Sequence, residues 1–229
     1  MNKVALKNFF EQNKEDYYSR RNSGDIQKYD EEYKWQILPK LNNELSKIEI
    51  CRENSEKIAK ILSKNLNNFS HWIDMDDLQD LSKRKKNFYQ IFGYIKNSNP
   101  ETVNQTIDSI DMILDSTIFN KKFAPSTFGY LFTAFDCKNF SLYREEIAKE
   151  ISKICLIDFP KNKGEKYKLV NDASNFIGNL VNEDGVFVDK NVNLLGQDFI
   201  WTEIMYNTQF SISANSTKFS CSVLKLCTF

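Results

Sequence analysis

The chain is poor in the residues that interrupt helices, with 7 glycines and 4 prolines among 229 residues. That scarcity argues against a strand-rich sandwich, whose many tight turns need both, and favours helices joined by short polar turns. There is a single histidine, His71. A Ser-His-Asp triad or a Cys-His dyad would have to be built on it, and metal sites that need two or more imidazoles are excluded. No Gly-x-x-x-x-Gly-Lys-Ser/Thr loop occurs, so these residues cannot cradle nucleotide phosphates in the P-loop manner. The five cysteines, Cys51, Cys137, Cys155, Cys221 and Cys227, form no Cys-x-x-Cys pair. Their odd number argues against a secreted disulfide framework and fits reduced, structural thiols. No run approaches the roughly 18 to 20 apolar residues of a membrane span, and the N-terminus lacks the apolar stretch of a signal peptide. No membrane partner and a cytoplasmic location are expected. Net charge is also missing: 31 basic residues balance 31 acidic ones, so any polyanion would have to be held by local patches.

The chain does have a 41% hydrophobic and 14% aromatic content, enough for a substantial core. Val4, Leu6, Phe9, Phe10 and Tyr17 recur at helical spacing before a break at Asn22-Ser23-Gly24-Asp25. Two further stripes, from Trp35 to Ile48 and from Ile58 to Leu66, predict an antiparallel helical pair, with Pro39 kinking or bounding the first. Acids at Asp74, Asp76 and Asp77 open a helix predicted to run through Phe88 and Phe92 to about Lys96. Helices are also predicted from Pro100 through Leu114, after the lead-in Asn139-Phe140-Ser141 over Leu142 to Ile154, and from about Lys166 to Val181. The aromatic segment Ala124 to Phe135 reads as a buried hinge. The fold class is mostly α, a single irregular multi-helix domain over 1–205, with a sub-boundary near 97–100 or 120–126 as an option. Val186-Phe187-Val188 is a candidate extended piece. Residues 206–229 stand apart: no acid follows Glu203, and serines and two cysteines crowd the end. That tail reads either as a strand or as a frameshifted or truncated read-through.

Constellations with catalytic potential reduce to structural readings. Asp74, Asp76 and Asp77 sit where a helix dipole favours carboxylates, so no metal ligand set is assigned. Cys137 and Cys155 have no adjacent histidine to activate a thiolate. Neither a catalytic centre nor a cofactor is expected. The basic and aromatic runs carry the functional reading, because lysine and arginine neutralise phosphates while exposed tyrosines stack on unpaired bases. They are Arg20 and Arg21 after Tyr17-Tyr18, then Lys83, Arg84, Lys85 and Lys86 with Tyr89, and finally Lys161, Lys163, Lys166 and Lys168 around Tyr167. Lys83 to Lys86 is the foremost of these, since four consecutive cations wrap around a helix and cannot all disperse onto acids.

Three short segments point to a family: Glu32-Tyr33-Lys34-Trp35, Ser126-Thr127-Phe128-Gly129-Tyr130-Leu131-Phe132-Thr133-Ala134, and Leu194-Leu195-Gly196-Gln197-Asp198-Phe199-Ile200-Trp201. Together they resemble the N-terminal region of McrB-like, AAA+ GTPase-associated restriction proteins, over most of residues 30–205. The resemblance implies a helical recognition segment of a defence system, which in that family precedes a nucleotide-driven motor that these 229 residues do not contain. It also implies that Trp35 and Trp201 pack in the core while Lys34 stands outside. The expected function is a non-catalytic binding module of a prokaryotic defence or anti-defence system, recognising nucleic acid or a nuclease effector. The alternative is a stand-alone inhibitor, anti-CRISPR-like or anti-restriction, that binds an RNA-guided or restriction nuclease and blocks guide or target access.

Overall fold

A computed structural model describes residues 1–23, 32–66, 69–115, 122–188 and 191–205, and among them the protein is all helical, with no strand. The helices are α1 (Lys3–Ser23), α2 (Glu32–Ser46), α3 (Ser55–Lys64), α4 (Trp72–Ser82), α5 (Lys85–Lys96), α6 (Val103–Asp115), α7 (Pro125–Phe135), α8 (Glu145–Ile154), α9 (Lys163–Glu183) and α10 (192–205). A 3-10 turn at Pro100–Thr102 leads into α6.

The aromatic run predicted as a hinge is the central helix. Aromatic-rich and without a charged residue, α7 has no strongly polar face to offer water and is buried from Thr127 to Ala134. Pro125 sits in its first turn, where a missing N–H costs nothing. It packs against α2, α5 and α9. Ring contacts spread outward from it: Phe132 meets Phe140 and Tyr167, Phe128 meets Phe123, and Tyr130 meets Phe69, which stacks on Tyr33. Buried phenols find acceptors, with Tyr130 donating to the Leu62 carbonyl at 2.7 Å and Tyr167 to the Ser141 carbonyl at 3.0 Å. Around this centre α9 touches α1, α6, α7 and α8, and α6 bridges α5 to α9.

Several expected boundaries move, each for a packing reason. The helix predicted from Asp74 to Lys96 is two, α4 and α5, broken at Lys83-Arg84. Ser82 to Asn87 contains no apolar residue, so nothing holds a continuous helix to the core there. The predicted α2–α3 pair is replaced by other partners: α2 lies on α7, and α3 lies on α4. Pro39 is accommodated inside α2. Helix α8 begins only at Glu145, since Asn139 to Leu142 is held in a non-helical path by the buried amides of Asn171 and Gln197. The candidate extended piece at 186–188 is not a strand; Phe187 instead packs edge-on against Tyr17 and Tyr18. The tail at 206–229 lies outside the described residues.

One contact sets how near α10 lies to α9. A Cβ on Gly178 would fall 1.8 Å from the Val192 carbonyl oxygen, and one on Gly196 would fall 1.8 Å from the Ser174 carbonyl oxygen and 2.5 Å from the Gly178 nitrogen. Backbone therefore meets backbone, a distance only glycine permits. Gly93 on α5 is the contrast, with open space around its Cβ position. Gly196→Ala should lower stability by about 3 kcal/mol because the clash is with main chain. Gly93→Ala should raise stability by up to about 1 kcal/mol through helix propensity alone. Urea unfolding of both variants checks this, and a Gly196→Ala variant within about 0.5 kcal/mol of wild type would contradict the close crossing.

Candidate functional site

The close α9–α10 crossing delivers the polar residues of α10 into the interior. Asp198 and Glu203 are both buried, and each meets an arginine of α1: Arg21 pairs with Asp198 and Arg20 with Glu203. Tyr17 donates to Asp198 Oδ2 at 2.6 Å. The Arg21 guanidinium also lies over the rings of Phe187, Trp35 and Tyr17, at 5.1, 5.8 and 5.9 Å from their centroids. One end of α1 is thus stitched to α10 by charges and aromatics together. Burial raises the Tyr17 phenol well above its ordinary value, and the Asp198 charge adds to that. Burial also lifts the Glu203 carboxyl, against the pull of Arg20.

Lys34 enters this seam from α2. Expected to stand outside, it is buried, with its Nζ 5.3 Å from the Trp201 ring centroid. The reason is geometric: Tyr33 must reach inward to stack on Phe69, and the turn of α2 that allows it carries Lys34 beneath α10. Trp35 and Trp201 do pack against the core, half-buried. Burial drives the Lys34 amine from 10.5 down to about 7, Arg144 pushes it the same way, and Asp198 opposes them. Lys34 lines a small, partly open pocket together with Arg144, Ser174, Gln197 and Trp201. Arg144 is positioned by the segment before it, which is fastened where Ser141 N donates to Asn171 Oδ1 and Leu142 N to Gln197 Oε1, both at 2.8 Å.

The basic runs separate into two kinds. Arg20 and Arg21 are turned inward, so they join the seam and not an outer patch, and Tyr17 and Tyr18 beside them are buried. Lys163 donates to the Phe123 carbonyl at 2.9 Å and pairs with Asp111 at 2.8 Å. Lys166 pairs with Glu145 at 3.4 Å, its Nζ 4.7 Å from the Phe159 ring centroid, and Lys168 pairs with Asp172 at 2.8 Å. These three are engaged within the fold, while Lys161 is exposed. The group Lys83, Arg84, Lys85 and Lys86 is exposed at the α4–α5 corner. Lys83 closes α4 and reaches Asp80 at 2.9 Å, whereas Lys85 and Lys86 occupy the first turn of α5, where the helix dipole disfavours cations. Arg52, distant in sequence, comes to the same corner: with Lys85 it helps hold the Glu53 carboxyl low, after the larger effects of the Glu53 backbone N–H and the Cys51 thiol.

Beside that corner α5 forms one wall of an open groove of about 720 Å³, with Tyr89, Gly93, Tyr94 and Lys96 on it and Glu49 and Ile50 opposite. Tyr89 and Tyr94 remain 49% and 43% exposed, leaving ring faces available. Among the described residues no group of three or more His, Cys, Asp or Glu is arranged to hold a metal ion, and no helix is long and apolar enough to cross a membrane. Burial, with Asp136, pushes the Cys137 thiol up to about 11, the direction opposite to nucleophile activation, and burial raises Cys155 as well. His71 is exposed and caps α4 by accepting from Ile73 N.

The buried amine yields a signed prediction. Because folding lowers Lys34 from 10.5 to about 7, the unfolded chain binds the extra proton between those values, and this residue's contribution to stability rises with pH across that window. Lys34→Met keeps the volume without the charge and should be more stable than wild type near about pH 6. Its advantage should shrink by up to about 1.4 kcal/mol per pH unit above about pH 7. Denaturant titrations of both proteins across the range measure the difference, and a pH-independent gap would contradict the buried amine.

Comparison with known proteins leaves the geometry to speak alone: no family model, curated protein or solved structure matches this chain.

Proposed function

We propose that the protein is a non-catalytic binding module that holds a polyanion, foremost single-stranded nucleic acid, on the α4–α5 corner and the adjoining tyrosine-lined groove. The observation that carries this reading is the placement of Lys85 and Lys86 in the first turn of α5, exposed and against the helix dipole, next to Lys83, Arg84 and Arg52. A phosphate backbone there would meet cations and the positive helix end together. Tyr89 and Tyr94 lie farther along the same helix and supply stacking surfaces for unpaired bases. The resemblance to the N-terminal region of McrB-like restriction proteins supports a defence or counter-defence setting. A nuclease effector is the other occupant such a corner would suit, through an acidic surface.

Fluorescence anisotropy with a labelled single-stranded oligonucleotide tests the reading. With four phosphates neutralised, log affinity should fall against log salt with a slope of about −3. Removing Tyr89 or Tyr94 should cost about 1–3 kcal/mol of binding for each base it stacks. Reversing Lys83, Arg84, Lys85 and Lys86 to glutamate should abolish binding while leaving the melting temperature level or slightly higher. Exposed charges contribute little to stability, and acids suit the first turn of α5. Undiminished oligonucleotide affinity in the reversed protein would overturn the assignment. So would stoichiometric binding to a purified nuclease that survives removal of all nucleic acid and ignores salt, which instead describes an inhibitor.

A further inference from the structure

We propose that the small, partly open pocket between α2, α9 and α10 is a receptor for a small carboxylate, its head group held by Lys34, Arg144 and Ser174 with its short apolar stem against Phe69, Leu142 and Trp201. The site is separate from the α5 groove and does not depend on it. Its polar lining is donor-rich. An ammonium and a guanidinium have no acceptor capacity, and one of the two lone pairs of the Gln197 amide oxygen is already used by Leu142 N at 2.8 Å. Ser174 supplies the second, independent observation. It is 1% exposed, it lines the cavity, and its Oγ has no hydrogen-bond partner among the described residues. A buried hydroxyl left in that state costs free energy that an acceptor in the cavity would recover.

Size narrows the class. The inner space is about 20 Å³, the scale of one or two water-sized groups, and the pocket opens to solvent past exposed Arg144. A planar carboxylate head therefore suits its floor better than a bulkier tetrahedral phosphoryl head, with the stem directed toward the opening. Apolar rings and a leucine at the remaining wall suit one or two methylenes. The charged groups around Lys34 come from three directions: Asp198 on α10 attracts it, Arg144 ahead of α8 repels it, and Arg21 on α1 holds Asp198. A carboxylate between Lys34 and Arg144 would relieve their repulsion and favour the ammonium form. Affinity should therefore be greatest near about pH 6 and decline, by up to about tenfold per unit, from about pH 7, where the empty site loses its proton, until pH passes the raised pKa of the occupied state.

The test uses propionate, with chloride at equal ionic strength as reference and inorganic phosphate as the oversized control. The melting temperature is followed together with the carbon-13 shift of the Lys34 side chain. Propionate should raise the melting temperature near about pH 6 and move the Lys34 titration to higher pH, with phosphate behaving as chloride does. Arg144→Ala, at an exposed position, should weaken propionate at least about tenfold, as should Ser174→Ala, which deletes only the hydroxyl. A peptide ending in alanine separates the two sources of such a head group. Competition by its free carboxylate, but not by its amide, would identify a chain terminus, and no competition would identify a free acid. If propionate acts as chloride does, or acts equally on the Arg144→Ala and Ser174→Ala proteins, the proposal is wrong.

Discussion

The Asp198 carboxylate, 1% exposed at its side chain, is the group around which the rest of the fold is organised. It accepts from Tyr17, pairs with Arg21 and faces Lys34, so that three helices converge on one buried charge. Leaving such a carboxylate without its partners would cost several kcal/mol, far more than any surface pair contributes. Helix α1 therefore cannot leave α10 without exposing or stranding that charge, although 181 residues separate Tyr17 from Asp198. The charge in turn depends on the glycine-to-glycine crossing of α9 and α10, which sets how deep α10 lies. Backbone contact at Gly178 and Gly196 is the steric condition, and the ion pairs are its electrostatic consequence.

Burial divides the cations of this chain into two functional populations. Arg20, Arg21 and Lys34 are enclosed, with their charges answered or suppressed inside the fold, and their work is to specify how helices dock. Lys83 to Lys86 stand in water at a helix junction, where a charge costs little to keep. Lys163, Lys166 and Lys168 fall between these extremes, each tied to a neighbouring carboxylate at the α9 N-terminus. A basic run is a candidate contact surface only where the fold leaves it exposed to water. That criterion selects the α4–α5 corner over the other two runs.

The buried amine and the exposed corner also differ in how they respond to solution conditions. At the corner, any interaction with the proposed partner would be screened by salt, because water surrounds the exposed charges. In the cavity beside Lys34 the governing variable is pH, because desolvation has moved an amine into the physiological range. The two regions can therefore be addressed separately in one protein.

Local sequence determined the helices themselves. Apolar residues at 103, 107, 110 and 114 fix the buried face of α6, and Ile147 and Ile151 do the same for α8, since the helical period alone places them on one side. The aromatic-rich, uncharged run of α7 likewise marked a buried element, and the exposed state of Lys83 to Lys86 followed from four adjacent cations. Tertiary structure alone decided which helices pair, because a stripe specifies a face but not its partner; α2 meets α7 and α3 meets α4 for that reason. It alone turned Arg20 and Arg21 inward and buried Lys34 under Trp201. A lysine beside a tryptophan carries no local sign of burial. Its fate is set by what arrives opposite it, here an aspartate more than 160 residues away, and only the folded chain brings the two within each other's field.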